Sequence, residues 1–212
     1  MAELLSIHPD NPQERTLEKV IDCLKRGGII IYPTDTVYGL GCDLYNAKAI
    51  QKLFKIKGTD PKKGHLSFIC YDLSDLSKYA RNVSNGVFKV MKKALPGPYT
   101  FVLEASPEVP KIIDVRKKQV GIRVPNHNVP RQIVKMLGNP ILTTSVKQND
   151  ELMEYLTDPY DIREAYDDLV DIVIDSGIGG HFPSTVVSGL DGSFEIFRQG
   201  VGDFAQFVDY VS

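Results

Sequence analysis

Residues 28–32, Gly-Ile-Ile-Ile-Tyr, form an unbroken apolar run around three β-branched residues directly behind a segment with helical periodicity. An apolar strand without alternation is one buried on both faces, so a helix-then-strand unit with covering layers is expected from the start. In the helix, Leu17, Val20, Ile21 and Leu24 fall on one face. Asn11 is its expected cap, with Pro12 in the first turn and Glu14 completing a capping box, and Gly27 is its left-handed stop.

The unit recurs along the chain. Asn46 is placed to cap a helix containing Ile50, Leu53 and Phe54, and beyond Gly58 comes the apolar segment 66–70. Asp72 and Ser84 are the expected caps of helices at 73–80 and 87–94, after which Pro96-Gly97 breaks the chain before a strand at 99–103. Strands at 120–124 and 141–144 flank a helix at 129–137 that Asn128 caps and Gly138 stops. A helix around 162–169 leads into a strand at 171–175. Segments 185–190 and 193–197 flank Asp191-Gly192, a dipeptide suited to a type I′ hairpin. The pattern predicts an α/β fold, one domain over residues 1–212, with a mixed sheet, helices on its faces and a C-terminal β-hairpin.

Composition removes several alternatives. With 42% hydrophobic and 25% charged residues the chain is neither disordered, collagen-like nor a coiled coil. Its apolar runs are too short to cross a bilayer and MAELLSIHPD is not a signal peptide, so no membrane association is expected and the expected location is cytoplasmic. Cys23, Cys42 and Cys70 lack a C-x-x-C pair, and His8, His65, His127 and His181 lack metal-site spacing, so no metal centre is expected. The Walker pattern is absent. Gly177-Ile-Gly-Gly180 follows a strand but lacks the third glycine and the helix of a dinucleotide fingerprint, which leaves a flexible turn as the expectation. The net charge of −2 means that any anion site must be local.

The stretch 32–41, Tyr-Pro-Thr-Asp-Thr-Val-Tyr-Gly-Leu-Gly, leaves a buried strand directly into hydroxyls and a carboxylate. Ligands of open α/β sheets bind beyond strand ends, and a candidate site is the preferred reading over a turn in which Thr34, Asp35 and Thr36 are hydrogen-bonded locally. Lys52, Lys55, Lys57, Lys62 and Lys63 face one acid, Asp60, within residues 52–63. As a set they suit a helix C-terminus or a polyanion. Arg116, Lys117 and Lys118 add further charge. Arg123 and Arg198 lie at strand ends, where a planar fork suits phosphate or carboxylate.

Taken together, Pro33-Thr-Asp-Thr-Val-Tyr-Gly-Leu40, Leu95-Pro-Gly-Pro-Tyr-Thr-Phe-Val102, Gly121-Ile-Arg-Val-Pro125, Thr143-Thr-Ser145, Pro183-Ser-Thr-Val186 and Arg198-Gln-Gly200 resemble, in order, the blocks of the YrdC/YciO family. Its best-known members are L-threonylcarbamoyladenylate synthases. The resemblance implies a twisted open sheet around a large positively charged cavity. It implies a nucleotidyltransferase that converts L-threonine, bicarbonate and ATP with Mg2+ to threonylcarbamoyl-AMP and pyrophosphate, for modification of tRNA. On this resemblance Lys57 and Ser145 are catalytic, Thr36, Thr100, Arg123 and Ser184 bind substrate, and Lys57 and Arg198 hold the nucleotide phosphates, with Mg2+ bridging them.

Two departures stand out. The family's K-x-R is Lys57-Gly58-Thr59, and its S-x-N is Ser145-Val146-Lys147. Threonine cannot replace an arginine fork, and lysine cannot accept as an amide does. Both changes, with the opening Ile7-His-Pro-Asp-Asn-Pro-Gln13, resemble the YciO branch. Weak synthase activity is one expectation, and a non-catalytic protein that binds nucleotide or double-stranded RNA is the other.

Overall fold

Strand β1 (Glu3–Ser6) opens the chain, and His8 then builds a small turn of its own: its Nδ1 accepts from the amides of Asp10 and Asn11. That turn delays helix α1 to Glu14–Lys25, with Gln13 at the cap and no side-chain cap bond, so Asn11 is not the cap and no capping box forms. Gly27 takes the expected left-handed conformation, φ 87°. Strands β2 (Ile30–Tyr32) and β3 (Gly39–Asp43) and helix α2 (Ala47–Lys57) follow, the helix capped by Asn46 and stopped by Gly58 as expected. In a computed structural model, residues 1–58, 67–110, 119–146 and 155–210 are described. Lys62, Lys63, His65, Arg116, Lys117 and Lys118 lie outside them, as do Thr59 and Lys147.

The chain continues with β4 (Ser67–Ile69), α3 (Leu76–Tyr79), β5 (Ala80–Arg81), α4 (Asn85–Ala94), β6 (Tyr99–Ala105) and β7 (Gln119–Arg123). Then come α5 (Asn128–Leu137), β8 (Ile141–Ser145), α6 (Pro159–Tyr166), β9 (Ile172–Asp175), β10 (Thr185–Ser188) and β11 (Glu195–Arg198). Asp72 makes a local turn to the Ser74 amide, so α3 is a single turn beginning later than expected. Asn128 is spent on the carbonyl of Asp10, and His127 caps α5 in its place, accepting from the Val129 amide at 3.2 Å. Asp158, accepting from the Tyr160 amide, starts α6 ahead of the expected position, with Pro159 in the first turn.

The sheet runs β1-β9-β2-β3-β8-β4-β7-β6-β10-β11, with β5 paired to β6. It is mixed: β1, β9 and β2 are parallel neighbours, whereas β2-β3, β3-β8 and β8-β4 are antiparallel. Alternation along β2 divides the core in two. Ile30 and Tyr32 join Leu17, Val20, Leu24, Val129 and Ile133 beneath α1 and α5. Ile29 and Ile31 join Ile50, Leu53, Val90 and Phe101 beneath α2 and α4. The run of β-branched residues thus sits between two helical layers, the single-domain α/β arrangement its sequence demands.

Strand β3 escaped the sequence reading because two of its residues are glycine. A Cβ on Gly39 would stand 2.8 Å from the Tyr32 ring, and one on Gly41 3.1 Å from it and 2.5 Å from Ile141. These glycines make room for a buried tyrosine within the sheet and are not part of a mobile loop. At the other end, β10 and β11 pair antiparallel as expected, with a bulge between Val186 and Val187. Asp191 (φ 54°) and Gly192 (φ 76°) adopt the left-handed region, but within a 3-10 turn, and the strands close at Ser188 and Glu195, so the tight two-residue hairpin does not form. The final 3-10 segment (Phe204–Tyr210) lays Phe204 and Phe207 against Tyr99.

Candidate functional site

The loop between β2 and β3 is tightly organised. The Thr34 hydroxyl donates to the Val37 carbonyl at 2.7 Å and accepts from the Thr36 amide at 3.1 Å. This is the local turn that these residue types favour. The loop also meets a side chain from a distant strand. Arg123, at the end of β7, sends one guanidinium nitrogen, Nη2, to Asp35 Oδ1 at 2.6 Å, Thr36 Oγ1 at 2.8 Å and Thr34 Oγ1 at 3.2 Å. Its side chain is 9% exposed and that of Asp35 11%. Thr36 is buried and turned toward this cluster, as expected of a residue at the end of a strand.

A second cluster forms one strand over. Thr100 and Ser184 share a hydroxyl–hydroxyl hydrogen bond of 2.9 Å, and Arg198 donates from Nε and Nη2 to the Ser184 carbonyl at 3.2 and 2.9 Å. The β6–β7 register pairs Phe101 with Ile122, so Thr100 and Arg123, one step along, fall on the opposite face, the one that α1 and α5 cover elsewhere. Burial pushes the pKa of Arg198 down; Tyr155 opposes this and Arg123 adds to it, so the two guanidinium groups feel each other. Two arginines and one carboxylate therefore share this end of the sheet, with net positive charge.

Ser145 and Lys57 are the remaining expected residues. Ser145 is half-buried at the end of β8 opposite Gly39, and the amide of Val146 bonds to the Tyr38 carbonyl at 3.0 Å, so it adjoins the first cluster through the backbone. Lys57 is half-buried at the last position of α2. Among the described residues no group of three or more His, Cys, Asp or Glu is gathered for a metal ion, and no helix is long and apolar enough to cross a membrane. Two surface cavities, of about 460 and 550 Å³, lie elsewhere, one between Cys23, Gly28 and Asp171 and the other along α6.

The glycines at 177–180 and His127 were not legible as parts of a site, and Asp35 was legible without its partner. The glycines at 177–180 are not a flexible turn: Tyr38 donates to the Gly177 carbonyl at 2.7 Å, and the Gly180 amide bonds to the Thr36 carbonyl at 2.7 Å. A Cβ on Gly180 would stand 2.7 Å from that carbonyl oxygen, so glycine allows the close approach. Asp35 is the ionic partner of Arg123. His127 stands near it: burial lowers the His127 pKa, while Asp35 and Asp10 pull the other way. The cysteines are buried, and burial raises the Cys23 thiol to about 11 and those of Cys42 and Cys70 to about 12, which makes them poor nucleophiles.

The comparisons with known proteins bear on the family and the fold. A family model named Sua5/yciO/yrdC and described as telomere recombination matches residues 22–200. YciO of Escherichia coli is 36% identical over 98% of this chain and 100% of its own, and its crystal structure superposes with a TM-score of 0.90. A putative threonylcarbamoyl-AMP synthase of Methanocaldococcus jannaschii is 33% identical over 94% of this chain and 93% of its own. Sua5 of P. abyssi, solved in complex with L-threonine, shares the fold at a TM-score of 0.88 and 22% identity; this chain spans 60% of its length.

Proposed function

Since the chain belongs to the Sua5/YciO/YrdC family, we propose that it is a threonylcarbamoyl-AMP synthase-like protein that binds ATP, with Mg2+ carried on the phosphates, together with L-threonine and bicarbonate. The observation that carries this reading is the pair of arginines, Arg123 at the end of β7 and Arg198 at the end of β11, on one sheet face among the hydroxyls of Thr36, Thr100 and Ser184. Such a surface suits one ligand with a carboxylate and another with phosphates. Arg123, Thr36, Thr100 and Ser184 would receive the amino acid. Arg198 and Lys57 would hold the phosphates, and Ser145 would stand at the reacting groups.

The chemistry asks for little more than positioning and fixed charge. Bicarbonate carboxylates the threonine amine with loss of water, and an oxygen of the carbamate attacks the α-phosphorus of ATP. The bond to the β-phosphate oxygen breaks and pyrophosphate leaves with the negative charge. Guanidinium and ammonium groups held in advance would stabilise that charge without reorganising, which is where such a site would gain rate. The product would supply threonylcarbamoyl groups for adenosine in tRNA.

A second reading has its own support. Lys57-Gly58-Thr59 and Ser145-Val146-Lys147 replace the K-x-R and S-x-N of the synthases, so the same basic face would bind nucleotide or double-stranded RNA without chemistry. Incubation with threonine, bicarbonate, Mg2+ and ATP separates the two. Threonine-dependent pyrophosphate release supports the synthase. Its absence, with RNA binding that weakens steeply as salt rises, supports the binder.

A further inference from the structure

Arg123 uses only one side of its fork. Nη2 serves all three acceptors of the loop, whereas Nε is buried without a hydrogen-bond partner. Asp35 is used in the same way: Oδ1 is engaged, and Oδ2 is buried without a partner. Arginine and carboxylate pair best through two parallel bonds, which would satisfy both atoms. The loop instead holds the pair end-on, leaving one strong donor and one strong acceptor over. Such orphans are rare in folded proteins, and each is costly to keep.

The leftover atoms have complementary polarity. Arg123 Nε offers an N–H to a carboxylate oxygen, and Asp35 Oδ2 offers a carboxylate oxygen to an amine. Because the two residues neutralise each other, a simple anion finds little net attraction here and meets Oδ2 as a like charge. A ligand carrying both a carboxylate and an amino group satisfies both orphans at once.

We propose that Asp35 is a specificity-determining residue, accepting from the amino group of an α-amino acid whose carboxylate Arg123 Nε receives. The site then distinguishes amino acids from carboxylates that lack the amine. This inference rests on the reading that the arginine face takes an amino acid, and it adds a defined recognition role for Asp35, the carboxylate of the candidate loop.

Isothermal titration of the intact protein with L-threonine and with 3-hydroxybutyrate, which lacks the amine, tests it. The wild type is expected to favour threonine by about tenfold or more, Asp35→Asn to lose most of that preference by weakening threonine alone, and Asp35→Glu to retain part of it. Equal binding of both ligands to the wild type, or an Asp35→Asn variant that keeps the preference, overturns the inference while leaving the amino-acid reading in place. A wild type that binds neither ligand removes both. Should Asp35→Asn fail to fold, the wild-type ratio and Asp35→Glu decide the matter.

Discussion

Replacing Arg123 with Gln tests whether the Asp35–Arg123 pair holds the β2–β3 loop. The substitution removes a charge whose side chain is 9% exposed and strands a carboxylate that is 11% exposed, and it takes one donor from the hydroxyls of Thr34 and Thr36, which keep their bonds within the loop. Breaking a buried pair by removing one partner costs about 3–5 kcal/mol, because the survivor stays buried and uncompensated. In a domain of this size each kcal/mol shifts Tm by about 2–4 °C, so Arg123→Gln should melt about 6–20 °C below the wild type. Adding Asp35→Asn removes the stranded charge, and the double variant should lose clearly less than the sum of the two single losses. Thermal and urea unfolding of the wild type, both singles and the double give the cycle. An Arg123→Gln Tm within about 2 °C of the wild type, or strictly additive losses, would show that the pair is not coupled and that the loop is held by its own turn.

The remaining expectations address single contacts. Lys57→Ala should weaken ATP binding in calorimetry while stability shifts by about 0.5 kcal/mol or less, the usual effect at a partly exposed position; unchanged affinity refutes its phosphate role. Thr59→Arg combined with Lys147→Asn should raise threonine-dependent pyrophosphate release more than either change alone; a folded, ATP-binding double variant without gain would favour the non-catalytic reading. Gly180→Ala should destabilise by about 1–3 kcal/mol and impair ligand binding, because the new methyl group meets the Thr36 carbonyl; a neutral result in both would show the loop free to move aside. The lowered His127 pKa means that the unfolded chain takes up this proton first, so stability should fall as pH drops below about 6.5. His127→Asn keeps a capping side chain, and an acid slope equal to that of the wild type in pH-dependent unfolding would show that another group is responsible.

The sequence by itself determined the layers. An unalternating strand between amphipathic helices has to be sandwiched, and Leu17, Val20 and Leu24 on one side with Ile50, Leu53 and Val90 on the other are where periodicity puts them. Caps whose signal is purely local were equally legible: Asn46, Ser84, Gly27, Gly58 and Gly138 all act as their types predict. The candidate site was legible at Thr36, Arg123 and Arg198 because hydroxyls and guanidinium groups at strand ends are unusual in a core. What only the tertiary structure decided depends on partners far away in the chain. Asn11 and Asn128 are fine caps in isolation, but a His8 turn and a bond from Asn128 to the Asp10 carbonyl reassign both helix starts. Gly39 and Gly41 read as loop until Tyr32 is laid across them, and Gly180 reads as slack until Thr36 is found 144 positions back in the chain, within hydrogen-bonding distance. Asp35 is one loop carboxylate among several in the sequence, and pairing β7 to β6 and β4 delivers the arginine that makes it part of a site. Local periodicity is written in neighbouring residues, whereas ionic partners and close backbone approaches are set by strand order, which no local pattern encodes.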